Sequence, residues 1–284
     1  MAMVWLGGAG IASFHPQAAA NATVGVRENR AGAMSIFICS GTVGLACGPV
    51  FFSTLAAHGL ALNAWGALPG LLVGLLLLAW MPPIGRRART GQTRHWDELR
   101  GVWKPLTILY FLVFIRSVVQ VTFTQFLPLY LHTGRNYSLA AASWTLSLYL
   151  VGGALGGLAG GRLADRFGGR LVIMISMIGS VPFLALFVFT TGLASSAGLF
   201  LGGLVLLFTI PVNVVMAQEL VPAQAGTVSA LMMGFAWGAA GLIFIPLTGW
   251  VSDVLSMQHA FAGLIAFPLI GFVLALKLPR REAV

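Results

Sequence analysis

Long apolar runs, broken by short polar ones, set the plan of this chain. No formally charged residue occurs in 31–85, 117–134, 136–161 or 220–252. Nine apolar segments can be laid out: 1–15, 32–57, 60–81, 105–131, 138–160, 171–192, 198–218, 226–250 and 258–277. A hydrocarbon core about 30 Å thick needs about 20 apolar residues in helical form. Every segment but the first reaches that length. None alternates with the two-residue period of a strand, so all are read as helices. The expectation is an all-α integral membrane protein with about nine transmembrane helices.

Composition agrees. The 284 residues are 58% hydrophobic and 8% charged, with a mean hydropathy of +0.92. Soluble domains run near 45–50% apolar and about 25% charged. A net charge of +9 would suggest nucleic acid in a soluble protein. Here the basic residues sit between apolar spans, where they set orientation, so no nucleic-acid partner is expected. Fourteen of the sixteen lie on one side: Arg27 and Arg30, six in 86–104, then Arg162, Arg166 and Arg170, then Lys277, Arg280 and Arg281. Positive loops stay cytoplasmic. The C-terminus is then cytoplasmic, and nine crossings put the N-terminus outside. The short first segment reads as a helix whose beginning is missing. A signal peptide, with residues 18–20 as its cleavage site, is the alternative.

The sequence carries an internal repeat. Ala31–Ser35, AGAMS, matches Ala225–Ser229, AGTVS, at an offset that also pairs Gly44 with Gly238 and Ala46 with Ala240. Six helix steps separate the copies, as in transporters built from two six-helix bundles. The expected domains are a partial first bundle of three helices (1–81), a cytoplasmic linker (82–104) and a complete second bundle (105–284).

The segment 161–170, GRLADRFGGR, concentrates charge in an oily chain. Its arginines can be read as an orienting loop, but that does not account for Asp165 or the flanking glycines. Gly152, Gly156 and Gly160 form one four-residue row, and Gly153, Gly157 and Gly161 another. Such rows let helix backbones approach closely. The segment resembles the signature between the second and third helices of each bundle in the major facilitator superfamily, through Gly161, Asp165, Arg166, Gly168 and Arg170. A second basic residue is usual where Gly169 stands. The resemblance implies that the acid packs against a helix N-terminus in the other bundle, here near Gly32, and latches the cytoplasmic side. A carboxylate is favoured there.

ASFHPQAA (12–19), RAGAMSIF (30–37), FLPLYL (126–131) and AQELVPAQAGTVSALMMGFAWGAAG (217–241) are similar to the fosmidomycin-resistance branch of that superfamily. The likeness runs over essentially the whole chain. It begins about a quarter of the way into a typical member, so roughly the first three helices are expected to be missing. An acid often follows the branch's His-Pro pair, where this chain has Gln17. Gly44, Gly48 and Pro49 are similar to the antiporter signature, though Phe51 and Phe52 replace its later glycines. That implies proton-coupled efflux, while a glycine packing face is the plainer reading.

Polar groups within the spans supply the candidates. Arg116 lies 11 residues past Pro105, about 17 Å into its helix. A guanidinium there costs about 2.5–3.5 kcal/mol on insertion scales and is by default functional. It suits an anionic substrate, a phosphonate included, or else pairs with a structural acid or carbonyl. Gln120 and Thr124 continue its stripe. Gln218 and Glu219 end the seventh segment; Glu219 is read as a coupling acid or as a surface acid. His15 could carry protons, or be satisfied by neighbours at a helix end. Asp253 reads as solvated. Cys39 and Cys47 read as small core residues.

The leading expectation is a secondary transporter of a bacterial inner membrane, exporting a small drug-like or anionic compound against protons. The alternative is a non-transporting membrane fragment. An enzyme is disfavoured, because no metalloprotease, serine-hydrolase or nucleotide-loop motif occurs. No cofactor or metal is expected.

Overall fold

The computed structural model describes residues 2–26, 28–80 and 95–279, and among these every regular element is helical. The first helices are α1 (Ala2–Asn21), α2 (Arg30–His58) and, after a 3-10 turn, α3 (Ala67–Trp80). The long α4 (His95–Leu129) runs into a π turn, followed by α5 (Leu139–Phe167) and α6 (Gly169–Phe189). Next come α7 (Gly192–Leu206) and α8 (Thr209–Leu220). The short α9 (Ala225–Ser229) passes through a π turn into α10 (Ala236–Val254), and α11 (Met257–Leu264) and α12 (Ala266–Ala275) complete the series.

Eight stretches among the described residues are long and apolar enough to cross a membrane, and they coincide with the second to ninth expected segments. The first expected segment forms α1 but is not among the eight. His15, Gln17 and Asn21 lower its hydropathy. Residues 82–94 of the expected linker lie outside the described residues. The rest, from His95, forms the first turns of α4 rather than a loop.

The packing has one dense body and two attached helices. Within the body α6 lies along α7, α5 along α7, α10 along α4, and α12 against both α4 and α6. Helix α2 packs along α5, and α1 meets α9 and the π turn after it. None of the described residues of α3 is buried. Arg30, Arg162, Arg166, Arg170 and Lys277 share one end, the basic end. A core that includes Met34, Leu109, Ile173, Met177 and Val212 fills this half. The other half is aromatic: Phe123, Tyr130, Tyr149, Phe187 and Phe261. Phe123 meets Phe261 edge-on at 4.7 Å. Arg135 lies over Tyr130 and Phe187 at 4.8 and 4.9 Å and donates to Phe187 O at 2.9 Å and Ser195 Oγ at 2.6 Å.

Glycine sets how closely α5 approaches α7. A Cβ at Gly152, Gly156 or Gly160 would fall 2.5, 2.0 or 2.2 Å from the carbonyl oxygen of Phe200, Leu204 or Phe208. The second row divides. Gly153 faces Leu207, Gly161 faces α2, and Gly157 meets nothing within 4 Å. The expected seventh span is broken between α7 and α8. Pro211 has no N–H to give Leu207. The Ser176 hydroxyl serves the loosened carbonyls of Val205 and Leu206 at 2.6 and 2.9 Å.

Helix α5 runs through Ala164 to Phe167, so the charge cluster is helical rather than a loop. Gly168 alone separates α5 from α6. It has φ 89°, and its N–H donates to Ala164 O at 2.9 Å. That backbone region is open to glycine at little cost.

Candidate functional site

The charged end of α5 meets the start of α2. Asp165 Oδ2 accepts from the Gly32 N–H at 2.7 Å, and Oδ1 from the Ala31 N–H at 3.1 Å. A helix leaves its first N–H groups without internal partners, and an N-cap side chain serves the second and third. Asn29 precedes α2 with φ 54° and makes no side-chain cap bond. Asp165, 133 residues along the chain, does so instead. Such a cap contributes about 1 kcal/mol, and its charge adds roughly 0.3–1 kcal/mol through the helix dipole.

Glycine on both helices makes room for this contact. A Cβ on Gly32 would sit 2.9 Å from Asp165 Oδ2, and one on Gly161 would sit 2.5 Å from Ala31 O and 2.6 Å from Ser35 Cβ. Arg166 is exposed, its guanidinium 5.1 Å from the Phe167 ring. Arg170 Nη2 donates to Leu276 O at 2.8 Å, just past the end of α12. A Cβ on Gly169 would meet Met216 Sδ at 2.5 Å, which explains glycine where a basic residue was expected.

A second polar contact joins the region after α1 to α8. Gln218 is wholly buried. Its Nε2 donates to Ser229 Oγ at 2.9 Å and Ala19 O at 3.4 Å, while Oε1 accepts from the Thr23 hydroxyl at 3.2 Å. Arg30 Nη2 donates to Thr23 Oγ1 at 3.4 Å. Both polar atoms of the Gln218 amide therefore have protein partners.

Arg116 and Gln120 form one buried stripe on α4, with Arg116 6% exposed. Arg116 Nη1 donates to Gln120 Oε1. Thr124 turns back to its own helix, donating to Gln120 O at 2.8 Å. Among the described residues no carboxylate pairs with Arg116, and its Nε has no hydrogen-bond partner. The Tyr149 hydroxyl and both polar atoms of the Asn213 amide are also buried without partners. Neither residue was singled out from the sequence. Uncharged polar side chains inside apolar spans were the available signal.

The other candidates lie apart from this stripe. His15 is exposed on α1, with its ring 6.1 Å from that of Phe37. Glu219 is exposed at the basic end, beside a cleft of about 610 Å³ lined also by Pro105, Arg170, Met216 and Leu278. Gly44 and Gly48 meet nothing within 4 Å, so their faces make no close packing among the described residues, and Pro49 lies inside α2. Between the two glycines, Ala46 O accepts from the Ser147 hydroxyl at 2.7 Å, a further tie from α5 to α2. Asp253 is exposed.

Comparison with known proteins agrees with this architecture. Residues 136–284 match the family model described as Major Facilitator Superfamily. An uncharacterized MFS-type transporter of Bacillus subtilis (strain 168), YfnC, is 30% identical over 285 residues, covering 96% of this chain and 68% of that protein. The fosmidomycin resistance protein of Escherichia coli (strain K12) is 27% identical over 273 residues, covering 94% of this chain and 67% of that protein. The chain thus spans about two thirds of the length of these relatives. A crystal structure of the Escherichia coli fucose:proton symporter FucP superposes with a TM-score of 0.71 at 15% identity, over 94% of this chain and 73% of that one. A second FucP structure, in the outward conformation, gives 0.59 at 17% identity over 74% of this chain and 52% of that one. These likenesses fix the fold. The family match and the Bacillus relative establish that this chain, a multi-pass integral membrane protein, belongs to the Major Facilitator Superfamily.

Proposed function

We propose that this chain works as a secondary transporter, exporting a small drug-like or anionic compound in exchange for protons by alternating access. Residues 1–81 belong to the last helices of a first bundle and 105–284 to the second bundle, joined through 82–104, whose part from His95 is the start of α4. The basic end is cytoplasmic, because Lys and Arg gather there, and the membrane is a bacterial inner membrane. The observation that carries the reading is the Asp165 cap on α2. It joins the two bundles at one end through contacts that can be made and broken as a unit. Gln218 adds a second tie between them at that end. Arg116 and Gln120 supply the anion site, and Glu219 or His15 the group that couples to protons. The resistance named for the Escherichia coli relative supports export as the direction.

The test is accumulation of labelled fosmidomycin in bacteria deficient in efflux. Cells expressing this chain are expected to hold several-fold less drug than control cells. The difference should vanish in Arg116→Ala at equal membrane abundance. Equal accumulation with and without the chain contradicts export of that compound. A second reading, a non-transporting membrane protein, draws support from α3, none of whose described residues is buried. Equal accumulation, together with no transport of any anion by the purified chain, would favour it.

A further inference from the structure

The cleft of about 610 Å³ at the basic end carries one charge of each sign: Arg170, half-buried, and Glu219, exposed. They come from different helices, α6 and α8. Among the described residues no ion pair joins them, and no hydrogen bond reaches the Glu219 carboxylate. Arg170 gives one N–H to Leu276 O, and its Nε has no partner. Close packing fixes the two walls. A Cβ on Gly169 would fall 2.5 Å from Met216 Sδ, so glycine lets α8 approach the start of α6.

Charged and apolar lining are layered by depth. Arg170 is the second residue of the membrane-length stretch Gly169–Phe189, and Glu219 the second to last of Gly192–Leu220. Both therefore stand at the membrane's edge. Met174 lies about 6 Å deeper than Arg170 along α6, and Met216 about 4.5 Å deeper than Glu219 along α8. Leu109, Leu171 and Leu220 complete the apolar wall. Basic pockets between membrane helices bind lipid head groups, and an acid in the same pocket selects among them. A purely anionic head group would meet Glu219 as a like charge. A soluble zwitterion would gain nothing from the apolar floor. We propose that this cleft binds a zwitterionic phospholipid that carries a primary ammonium. Its phosphate lies on Arg170, its ammonium on Glu219 and the start of an acyl chain against Met174 and Met216. The site uses neither the Asp165 cap nor the Arg116 stripe and does not depend on the transport reading. It gives Glu219 a role other than proton coupling, which then falls to His15.

The test is native mass spectrometry of the purified chain in neutral detergent, titrated with short-chain phosphatidylethanolamine or phosphatidylglycerol. Wild type is expected to hold phosphatidylethanolamine saturably and phosphatidylglycerol about tenfold more weakly, the effect of one hydrogen bond to a charged group. Glu219→Gln should erase that preference. Arg170→Gln should weaken both lipids, as should Met174→Trp, which fills the apolar floor. Thermal melting of each variant checks that the fold is kept, and Glu219→Gln, at an exposed position, decides if Arg170→Gln does not fold. Equal binding of the two lipids by wild type, or a preference kept in Glu219→Gln, would overturn the zwitterionic head group. Unchanged binding in Met174→Trp would overturn the cleft as the site. Displacement of the lipid by an equal concentration of glycerophosphoethanolamine, the head group without its chains, would overturn the membrane source.

Discussion

Asp165 completes a helix that does not complete itself: its Oδ2 lies 2.7 Å from the Gly32 nitrogen at the start of α2, where Asn29 makes no cap bond. The start of α2 is therefore satisfied by side chain only while the end of α5 is in place. A contact of this kind has two states and little between them, which suits a gate. Separation exposes two backbone N–H groups and one carboxylate to water at the basic end, where all three can be solvated.

Asp165→Asn should loosen that end. The amide keeps one acceptor and loses the charge, a change of roughly 1–1.5 kcal/mol, or about tenfold in the open population. Ser35, 1% exposed and beside Gly161, is a suitable reporter. A Ser35→Cys variant, with Cys39 and Cys47 changed to Ser, should react with a maleimide about tenfold faster once Asp165→Asn is added. An unchanged rate would refute the latch.

The glycine rows give a contrast within a few residues. Gly156→Ala places a methyl 2.0 Å from Leu204 O, and a backbone atom cannot move aside cheaply. Overpacking of this sort costs about 1–3 kcal/mol. Gly157→Ala meets nothing within 4 Å and should be neutral or slightly stabilising, by up to about 1 kcal/mol. Melting of the two purified variants should separate them by several degrees, with Gly156→Ala the lower. Equal melting would mean that α5 and α7 are not packed as described.

Much of the fold could be read from the hydrophobic pattern, because a membrane span needs only length and apolarity. The Asp165 contact near Gly32 could also be anticipated, since the resemblance carried by 161–170 implied a helix N-terminus there. The end of α5 could not. Charges and paired glycines at 160–170 look like a loop, whereas only Gly168 leaves the helix, through its positive φ. The partners of Gln218 were hidden for another reason. Its ties reach Thr23 and Ala19, 195 and 199 residues away, and no local pattern reports such a pairing. Tyr149 was overlooked because its ring fits an apolar span and only its hydroxyl marks it. Arg135 falls outside the fourteen basic residues that set orientation, and its place over Tyr130 and Phe187 comes from tertiary packing.

Gln218→Leu should weaken the second tie. The leucine is close in size but leaves the Thr23 and Ser229 hydroxyls short of partners, a loss of about 1–3 kcal/mol. An Ala19→Cys reporter should then label faster than in the parent. Gln218 and Asp165 contact different residues, so their effects on the closed end should add within about 0.5 kcal/mol. A double variant no more open than either single one would show that the two ties are not separate.

Under the proposed function this chain moves an anion across a membrane in exchange for protons, with Arg116 at the site. The most direct measurement is proton flux in proteoliposomes holding the purified chain and a pH-sensitive dye, on addition of fosmidomycin. Wild type is expected to show a drug-dependent proton movement that is absent in Arg116→Ala at equal protein incorporation. No drug-dependent flux in wild type, or the same flux in Arg116→Ala, would contradict it.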